Sequence, residues 1–244
     1  MPYRDYAKSH IFDFAPFLGK GILAFTTDAS VDFSLSSSAP FLSSLQRDLL
    51  KEQVQLSCSK VFNIRQIHGN KVIVATTKSY KESNAIVQAD AIITRDIDVP
   101  IAIRTADCLP VFIFDPKQKA VAIVHAGWRS TQKKIVQNAL KKMKEKFKTN
   151  ARDVKVAFGP ALRNCCYEVT EEFLKYFPKE TKHKGGILYF DLPLANKHQL
   201  LSSGVLGKNI FDSQVCTFCT KKSFSHRRDH ERAGRMLSVM MLKS

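Results

Sequence analysis

Two residues that can bind a metal ion or exchange a proton stand at the ends of adjacent apolar runs in residues 105–130, "TADCLPVFIFDPKQKAVAIVHAGWRS". Cys108 precedes the first run and His125 ends the second. The letters DPKQK between the runs predict a turn, so the two runs are expected to pair as a hairpin. If Phe114 faces Lys119, Cys108 lies opposite His125, where cross-strand Cβ atoms are about 4.5–5.5 Å apart. The hairpin therefore predicts either a functional Cys–His pair or two ordinary residues at the end of a sheet.

A second histidine, His68, lies in "RQIHGN", a tight bend between two apolar segments. A histidine beside glycine in such a bend is exposed, and by itself it is more often a solvated turn residue than a ligand. As a partner of Cys108 and His125 it completes a set of one thiolate and two imidazoles. Three such ligands suit Zn²⁺ and leave the fourth position for water or substrate, which is typical of a catalytic site.

The remaining cysteines include "CTFC" at 216–219 and the adjacent pair Cys165 and Cys166. A single Cys-x-x-Cys indicates redox chemistry or zinc only in a suitable context, so a thiol pair at a strand edge is the simpler interpretation. His226 and His230 follow within reach as ligands of a minor metal site. The adjacent cysteines are not expected to act easily as a pair of ligands.

The elements that must position these side chains alternate strands and helices. Strands are predicted at 21–27, on both sides of His68 within 60–77, and at 89–94, 100–104, 111–114, 120–125, 154–161 and the start of 185–205. Helices are predicted at 45–55, 130–148, 169–177 and the later part of 185–205, where Gly204 provides a stop. The Ser-rich segment 28–44 is predicted to be a loop. Hairpins together with strand–helix pairs indicate an α+β fold with mixed sheets, and residues 1–244 are expected to form one domain.

Composition narrows the class of protein. The chain of 244 residues is 44% hydrophobic and carries a net charge of +16. No apolar run is long enough for a membrane span and the first residues lack a signal-peptide layout, so a cytoplasmic protein with reduced thiols is expected. The lysines of 130–148 are predicted to form a solvated helix face. Nucleic-acid binding is the alternative, but no recognised motif supports a specific nucleic-acid partner.

Six segments together resemble a known family. They are "QIHGNKV", "ADAIITR", "TADCLPVFIFD", "VAIVHAGWR", "FGPALRNCCYEV" and "FSHRRDHERAGRML", in this order. This pattern, across about residues 60–242, is similar to the purine nucleoside phosphorylase family of the YfiH/laccase-domain type, also called polyphenol oxidase or multicopper oxidase laccase-like. The first 55 residues match poorly. Ser130, His226 and His230 depart from the usual Gly, Tyr and Gly.

The resemblance implies a site, a fold and an activity. His68, Cys108 and His125 would bind one zinc ion, in a layered α-β-β-α fold similar to the catalytic domain of certain deamidating bacterial toxins. The implied reactions are phosphorolysis of adenosine, inosine, guanosine and methylthioadenosine, and deamination of adenosine to inosine. The expected partners are purine nucleosides and phosphate, with neither a membrane nor a specific nucleic acid. The expected state is a monomer or homodimer.

Further residues in motif context are candidates for the chemistry. Cys108 and His125 are expected in the catalytic group with Asp107, or alternatively Glu168, as the proton carrier, although bracing of a strand end is the more common role for an aspartate like Asp107. Arginines suit phosphate, and the candidates for substrate binding are Arg47, Arg129 and Arg227, with Arg228 beside them. Trp128 is expected to stack on a purine or, more simply, to fill the core beneath the site.

Other activities remain open from the sequence. Without a metal, His125 would activate Cys108 as the nucleophile of a hydrolase or amidase acting in cell-wall precursor editing. A Cys–His₂ site also takes copper, as the family's older name of polyphenol oxidase suggests. Laccase chemistry needs a cluster of several copper ions with many histidines, and the chain has seven histidines in all.

Overall fold

The structure is a computed structural model that describes residues 10–34, 42–58, 60–82 and 87–244. The strands are β1 (Ile11–Asp13), β2 (Ile22–Thr27), β3 (Ile64–Arg65), β4 (Val72–Val74), β5 (Val87–Gln88), β6 (Ala91–Thr94), β7 (Ile101–Thr105), β8 (Leu109–Asp115), β9 (Ala120–Ala126), β10 (Lys155–Phe158), β11 (Glu168–Val169), β12 (Thr181–Lys184), β13 (Ile187–Phe190), β14 (Ile210–Asp212) and β15 (Met236–Leu242). The α-helices are α1 (Ala15–Leu18), α2 (Ser44–Val54), α3 (Thr77–Glu82), α4 (Trp128–Gln132), α5 (Ile135–Phe147), α6 (Glu172–Tyr176), α7 (Leu192–Ser202) and α8 (His226–Asp229).

Two sheets dominate the architecture. The six-stranded sheet has the order β14-β10-β8-β9-β6-β4, with parallel pairs at its two edges and antiparallel pairs between them. The four-stranded sheet has the order β1-β2-β15-β7 and is antiparallel throughout. Smaller sheets join β11-β13-β12 and β3-β5. The α+β class with mixed sheets is therefore confirmed.

Three apolar clusters separate four layers. Helix α5 packs its buried face on one side of the six-stranded sheet, where it meets Val111 and Ile113 of β8. The opposite side of that sheet carries Phe112 and Phe114 and packs on the four-stranded sheet. The outer side of the four-stranded sheet is covered by α2. The layers are thus α, β, β and α, as the family resemblance implies.

The apolar run of β8 has a direct structural reason. Successive side chains of a strand point to opposite faces, and both faces of β8 are covered, so all seven residues of β8 are buried. A strand covered on both sides reads as a continuous apolar run and not as an alternation.

Most predicted elements are present, but two boundaries differ. The helix predicted at 130–148 is two helices, α4 and α5, separated at Lys133 and Lys134. Lys134 has left-handed backbone with φ of 61°, and the Gln199 side chain donates to the carbonyl oxygen of Thr131 at 2.7 Å. That carbonyl would accept from residue 135 if the helix continued. The helix predicted at 169–177 begins only at Glu172, because Glu168 and Val169 pair with β13.

The loop predicted at 28–44 is described only in part, since residues 35–41 lie outside the described residues. Its described start contains no helix or strand up to Ser34, and its end enters α2 at Ser44. Ser43 caps that helix by accepting from the Gln46 backbone N–H. In the described part of the chain, no helix combines the length and apolar character that a bilayer crossing requires.

Candidate metal centre

Three side chains with metal-binding atoms converge at one end of the six-stranded sheet. His125 lies near the end of β9, Cys108 lies in the bend before β8, and His68 lies in the loop before β4. The ligand atoms of these residues all lie within 4.8 Å of one another. Cys108 Sγ is 3.8 Å from His68 Nε2. His125 is buried and Cys108 half-buried, whereas His68 is exposed, so the group faces solvent on one side.

The register predicted for the β8–β9 hairpin is wrong by two residues. Asp115 pairs with Ala120, Phe114 pairs with Val121, and His125 therefore faces Pro110 and not Cys108. The reason lies in the turn, which has four residues, 116–119. The Asp115 side chain just before it accepts hydrogen bonds from the backbone N–H groups of residues 117 and 118. A shift of two residues preserves the face of each side chain.

Cys108 reaches the site from beyond the end of β8, over Gly127. A Cβ atom on Gly127 would lie 2.9 Å from Cys108 Sγ and 3.1 Å from the His68 ring carbon Cδ2. Any side chain at this position would displace ligand atoms, so the glycine between His125 and Trp128 is required by close approach.

The Asp90 carboxylate holds two of the three candidate ligands. The side chain is fully buried at the start of β6. One oxygen accepts from the His125 Nδ1 at 2.9 Å and from the His68 backbone N–H at 2.9 Å, and the other accepts from the Gly69 backbone N–H at 2.6 Å. Because Nδ1 of His125 donates to Asp90, its Nε2 is free to face the metal position, which is a common arrangement at zinc sites.

The electrostatics of the group favour a thiolate. Burial opposes ionisation of Cys108, but the charge of His125 and hydrogen bonds from His125 and His68 lower the pKa of Cys108 to about 6. Burial alone would lower the pKa of His125, but the Cys108 charge and the bond to Asp90 raise it to about 9. Despite its burial, Asp90 has a lowered pKa because His125 and the backbone N–H groups donate to it.

This donor set fits Zn²⁺. Zinc binds thiolate sulfur at about 2.3 Å and imidazole nitrogen at about 2.0–2.1 Å, with a preference for tetrahedral geometry. Ligand atoms within 4.8 Å of one another are compatible with such a centre. Three protein ligands leave one position for water or substrate.

A cavity of about 780 Å³ opens over the three ligands. Its lining combines the candidate ligands with arginines, a tyrosine and two carboxylates. The arginines are Arg104, Arg129, Arg227 and Arg235, the tyrosine is Tyr167, and the carboxylates are Asp107 and Glu231. A volume of this order is typical of small-molecule sites.

Two of the three predicted substrate-binding arginines line the cavity, and the third does not. Arg129 and Arg227 line the cavity. Arg129 stacks over Trp128 at 4.2 Å from the ring centroid, and Arg227 lies 5.3 Å from the centroid of Tyr167. Arg47 is exposed on α2, donates to the Leu42 carbonyl oxygen at 2.7 Å and is not part of this lining.

The predicted acid–base groups also differ in position. Asp107 lies in the cavity lining, with one carboxylate oxygen accepting from the Thr217 hydroxyl and the other from the Arg227 backbone N–H, both at 2.6 Å. Two such bonds fit bracing better than proton transfer. Glu168 is exposed and outside the lining, where it accepts from the Tyr189 hydroxyl at 3.4 Å. Trp128 packs against Phe173 with ring centroids 5.0 Å apart, which favours the core interpretation.

Several residues of the site could not be predicted from the sequence. Asp90 lies in the segment "ADAIITR", and a lone aspartate before an apolar run gives no sign of two distant histidine partners. Arg104 is hidden inside the apolar strand β7, where its guanidinium Nε donates to the Phe33 carbonyl oxygen. Glu231 and Arg235 lie in a highly charged segment whose ion-pair pattern does not single them out.

The cysteines of the C-terminal half form a separate group. Cys216 and Cys219 lie beside Cys165 and Cys166, and their four sulfur atoms are within 4.8 Å of one another. The expectation that the adjacent Cys165 and Cys166 cannot easily act together is wrong on geometry, because a turn at 164–166 directs both sulfurs to Cys219. Neither His226 nor His230 belongs to this group.

Comparison with known proteins finds a matching family and similar sequences. Residues 43–243 match the family model described as multi-copper polyphenol oxidoreductase laccase. A purine nucleoside phosphorylase from Clostridium acetobutylicum is 34% identical over 186 residues, which is 74% of this chain and 76% of that protein. An adenosine deaminase from an unknown prokaryotic organism is 32% identical over 194 residues, which is 73% of this chain and 74% of that protein.

A solved structure supports the same relationship. The crystal structure of YlmD from Geobacillus stearothermophilus superimposes with a TM-score of 0.83 at 26% identity, and 99% of each chain is covered. A superposition of this quality over nearly the whole of both chains shows that the two proteins share a fold.

Proposed function

This chain belongs to the family whose model is described as multi-copper polyphenol oxidoreductase laccase, and on that premise we propose that it is a zinc-dependent purine nucleoside enzyme. The proposed reactions are phosphorolysis of adenosine, inosine, guanosine and methylthioadenosine to the base and (methylthio)ribose 1-phosphate, and deamination of adenosine to inosine. Relatives named for each type of activity support the proposal. The observation that carries it is the group of His68, Cys108 and His125 at the floor of an arginine-lined cavity.

Phosphorolysis needs an anion site, and the cavity has the groups for one. An oxygen of phosphate forms a bond to C1′ of the ribose, the bond from C1′ to the base nitrogen breaks, and the base takes up a proton. Arg129 and Arg227 project into the lining from different elements, and guanidinium groups bind phosphate oxygens in pairs.

Arg104 is a further candidate for this anion site. It lines the cavity, and its Nη1 is buried without a hydrogen-bond partner among the described residues. Burial lowers the pKa of Arg104 to about 10, so the group remains a cation at neutral pH. Asp32 offsets part of this buried charge, and an anion bound nearby would compensate more of it.

Deamination exchanges the amino group at C6 of adenine for a water oxygen and releases ammonia. When bound, Zn²⁺ acts as a Lewis acid and lowers the pKa of water, which is the chemistry that this exchange requires. Within the chain, Asp90 fixes the orientation of the His125 ring by a hydrogen bond, and Asp107 braces a wall of the cavity. We assign proton transfer to one of the two carboxylates in the lining, Asp107 or Glu231. Both oxygens of Asp107 already accept hydrogen bonds, and Glu231 is the alternative for this reason.

The proposal is tested with purified, zinc-loaded protein incubated with adenosine and phosphate. We expect adenine, ribose 1-phosphate and inosine, resolved by liquid chromatography, and loss of all three with Cys108→Ala. Absence of turnover in a fully zinc-loaded sample would overturn the proposal. The pH profiles of Asp107→Asn and Glu231→Gln distinguish the two carboxylates, because only loss of the proton carrier removes a limb of the profile.

Two alternatives are tested in the same preparation. A Cys108 nucleophile activated by His125 would retain activity after chelation and lose it on alkylation, whereas the zinc enzyme loses activity on chelation. Copper-loaded protein incubated with a phenol and oxygen tests for the polyphenol oxidation that the family description names.

A further inference from the structure

The C-terminal half of the chain brings four thiols together at a distance from the proposed catalytic group. We call Cys165, Cys166, Cys216 and Cys219 the four-cysteine cluster. Cys219 Sγ lies 3.3 Å from Cys166 Sγ and 3.8 Å from Cys165 Sγ, and all four sulfurs are within 4.8 Å of one another. The cluster joins two loops that are about 50 residues apart in sequence, one after β10 and one after β14.

These spacings match a tetrahedral site for a thiophilic cation. With zinc–sulfur bonds of about 2.3 Å, four sulfurs at the corners of a tetrahedron lie about 3.8 Å apart. The distances from Cys219 Sγ, 3.3 and 3.8 Å, and the upper bound of 4.8 Å for all four sulfurs bracket that spacing. A site with four protein ligands is closed to substrate and is typical of structural zinc.

Backbone hydrogen bonds bring the two cysteine-bearing loops together. Residue 161 forms an isolated parallel bridge with Cys216, and the Thr217 backbone N–H donates to the Ala161 carbonyl oxygen at 3.0 Å. The Arg228 guanidinium, paired with Asp229, donates to carbonyl oxygens along the loop that carries the Cys-x-x-Cys. The accepting carbonyls belong to Thr217, Phe218, Thr220 and Ser223.

The surroundings of Cys216 also suit a metal-bound thiolate. Cys216 is buried, and backbone N–H groups of Cys219 and Arg163 donate to its sulfur. Such N–H donors stabilise the negative charge of a ligating sulfur. The Arg163 side chain is fixed nearby by two bonds to Asp212, at 2.8 and 2.7 Å.

We propose that the four-cysteine cluster binds one structural Zn²⁺, in addition to the metal proposed at His68, Cys108 and His125. Binding would replace thiol protons with the ion, and the closed set of ligands would link the two loops. Nothing in this inference depends on nucleoside chemistry, since it concerns metal content and loop order.

The second ion would stabilise one wall of the cavity. Thr217, inside the Cys-x-x-Cys, donates to Asp107, and Asp107 immediately precedes the candidate ligand Cys108. On the other loop, Tyr167 follows Cys166 directly and lines the cavity. Loss of the structural ion is therefore expected to loosen Asp107 and Tyr167 in this wall of the cavity.

The first test measures the zinc content of the full chain by elemental mass spectrometry. The protein is prepared under reducing conditions in the presence of zinc. We expect Cys219→Ser to lose one equivalent of zinc per chain relative to the unsubstituted protein. Cys58→Ser is the matched control, because Cys58 is a free, half-buried cysteine outside both groups, and it should lose none. Cys108→Ser should retain the equivalent that Cys219→Ser loses. An unchanged zinc content in Cys219→Ser overturns the proposal.

The second test uses the unsubstituted protein, so it is independent of whether a variant folds. Cysteines are alkylated before and after chelation, and each site is identified by peptide mass spectrometry. Bound zinc should protect all four thiols, including the exposed Cys165 and Cys219, until the chelator is added. Equal labelling with and without chelator, or a disulfide within the cluster in the reduced preparation, would show that the thiols do not hold an ion.

Discussion

At the scale of single residues, the site depends on a carboxylate that the sequence does not mark. Asp90 accepts from the His125 ring and from backbone N–H groups of His68 and Gly69. One buried group thus fixes the ring of one ligand and the loop of another. The candidate ligands were predictable only as a set, because one thiolate and two imidazoles together suit Zn²⁺ although each residue alone has an ordinary explanation. Asp90 was not, since its role arises only from folding.

Replacement of Asp90 tests this role. In Asp90→Asn the amide NH₂ cannot accept from the donors that surround it, so His125 and the 67–69 loop lose their orientation. We expect the affinity for Zn²⁺ to fall by about 10- to 100-fold, measured by competition with a chromophoric chelator. Asp96→Asn is the control, because Asp96 accepts from the Thr77 backbone and hydroxyl away from the site. Equal zinc affinity in the two variants would contradict the assignment.

The thiol of Cys108 should show its environment in the metal-free protein. A pKa lowered to about 6 places the reactive thiolate above pH 6 and the unreactive thiol below it, so alkylation slows as the pH falls through 6. Burial raises the pKa of Cys58 to about 11, so that cysteine should remain slow across the same range and serves as an internal control. Rates are measured by peptide mass spectrometry after chelation. A midpoint at the ordinary thiol value of about 8.5 would mean that His125 does not assist the thiolate.

At the scale of elements, hairpin pairing was predictable but its register was not. The apolar runs of β8 and β9 and the turn between them are evident in the sequence. The register depends on how the Asp115 side chain captures the turn backbone, which residue types alone do not determine. The same holds for the break between α4 and α5, where Gln199 of a distant helix takes the Thr131 carbonyl.

The junction between β9 and α4 should tolerate no side chain. In Gly127→Ala the new Cβ meets Cys108 Sγ at 2.9 Å, so the thiol or the His68 ring must move. Displacement of about 1 Å at a catalytic group costs on the order of 100-fold in rate, and we expect kcat/KM to fall by that order. Gly207→Ala is the matched control, because its Cβ would meet only Leu201 at an ordinary 3.7 Å. Similar kcat/KM values for the two variants would show that the approach is not tight.

At the scale of the whole molecule, the layers follow from apolar patterning, whereas the order of strands within a sheet does not. Continuous apolar runs such as β8 indicate strands covered on both faces, and the α-β-β-α arrangement implied by the family resemblance is present. The run "MLSVMML" of β15 is equally apolar, but nothing in it indicates a position between β2 and β7. Such pairing between distant segments is decided by the assembled core.

The net charge of +16 should affect the binding of one proposed substrate, phosphate, and not that of the other, an uncharged nucleoside. A positive field concentrates anions near the cavity, and salt screens it over a Debye length of about 10 Å at 0.1 M. We expect KM for phosphate to rise with ionic strength while KM for uncharged inosine stays nearly constant. Both are measured by steady-state kinetics at constant pH. A parallel rise in the two constants would indicate a general effect of salt on the protein.

The position of β15 has a consequence for biosynthesis. Residues 236–242 are the inner partner of both β2, near the start of the chain, and β7, so the four-stranded sheet cannot close until they have left the ribosome. Until then β2 and β7 present unpaired edges, which are sites for aggregation or chaperone capture. Ala233 and Arg235, just ahead of β15, line the cavity. The cavity is thus complete only once β15 has paired with β2 and β7, and a ribosome stalled before residue 236 would hold an open sheet.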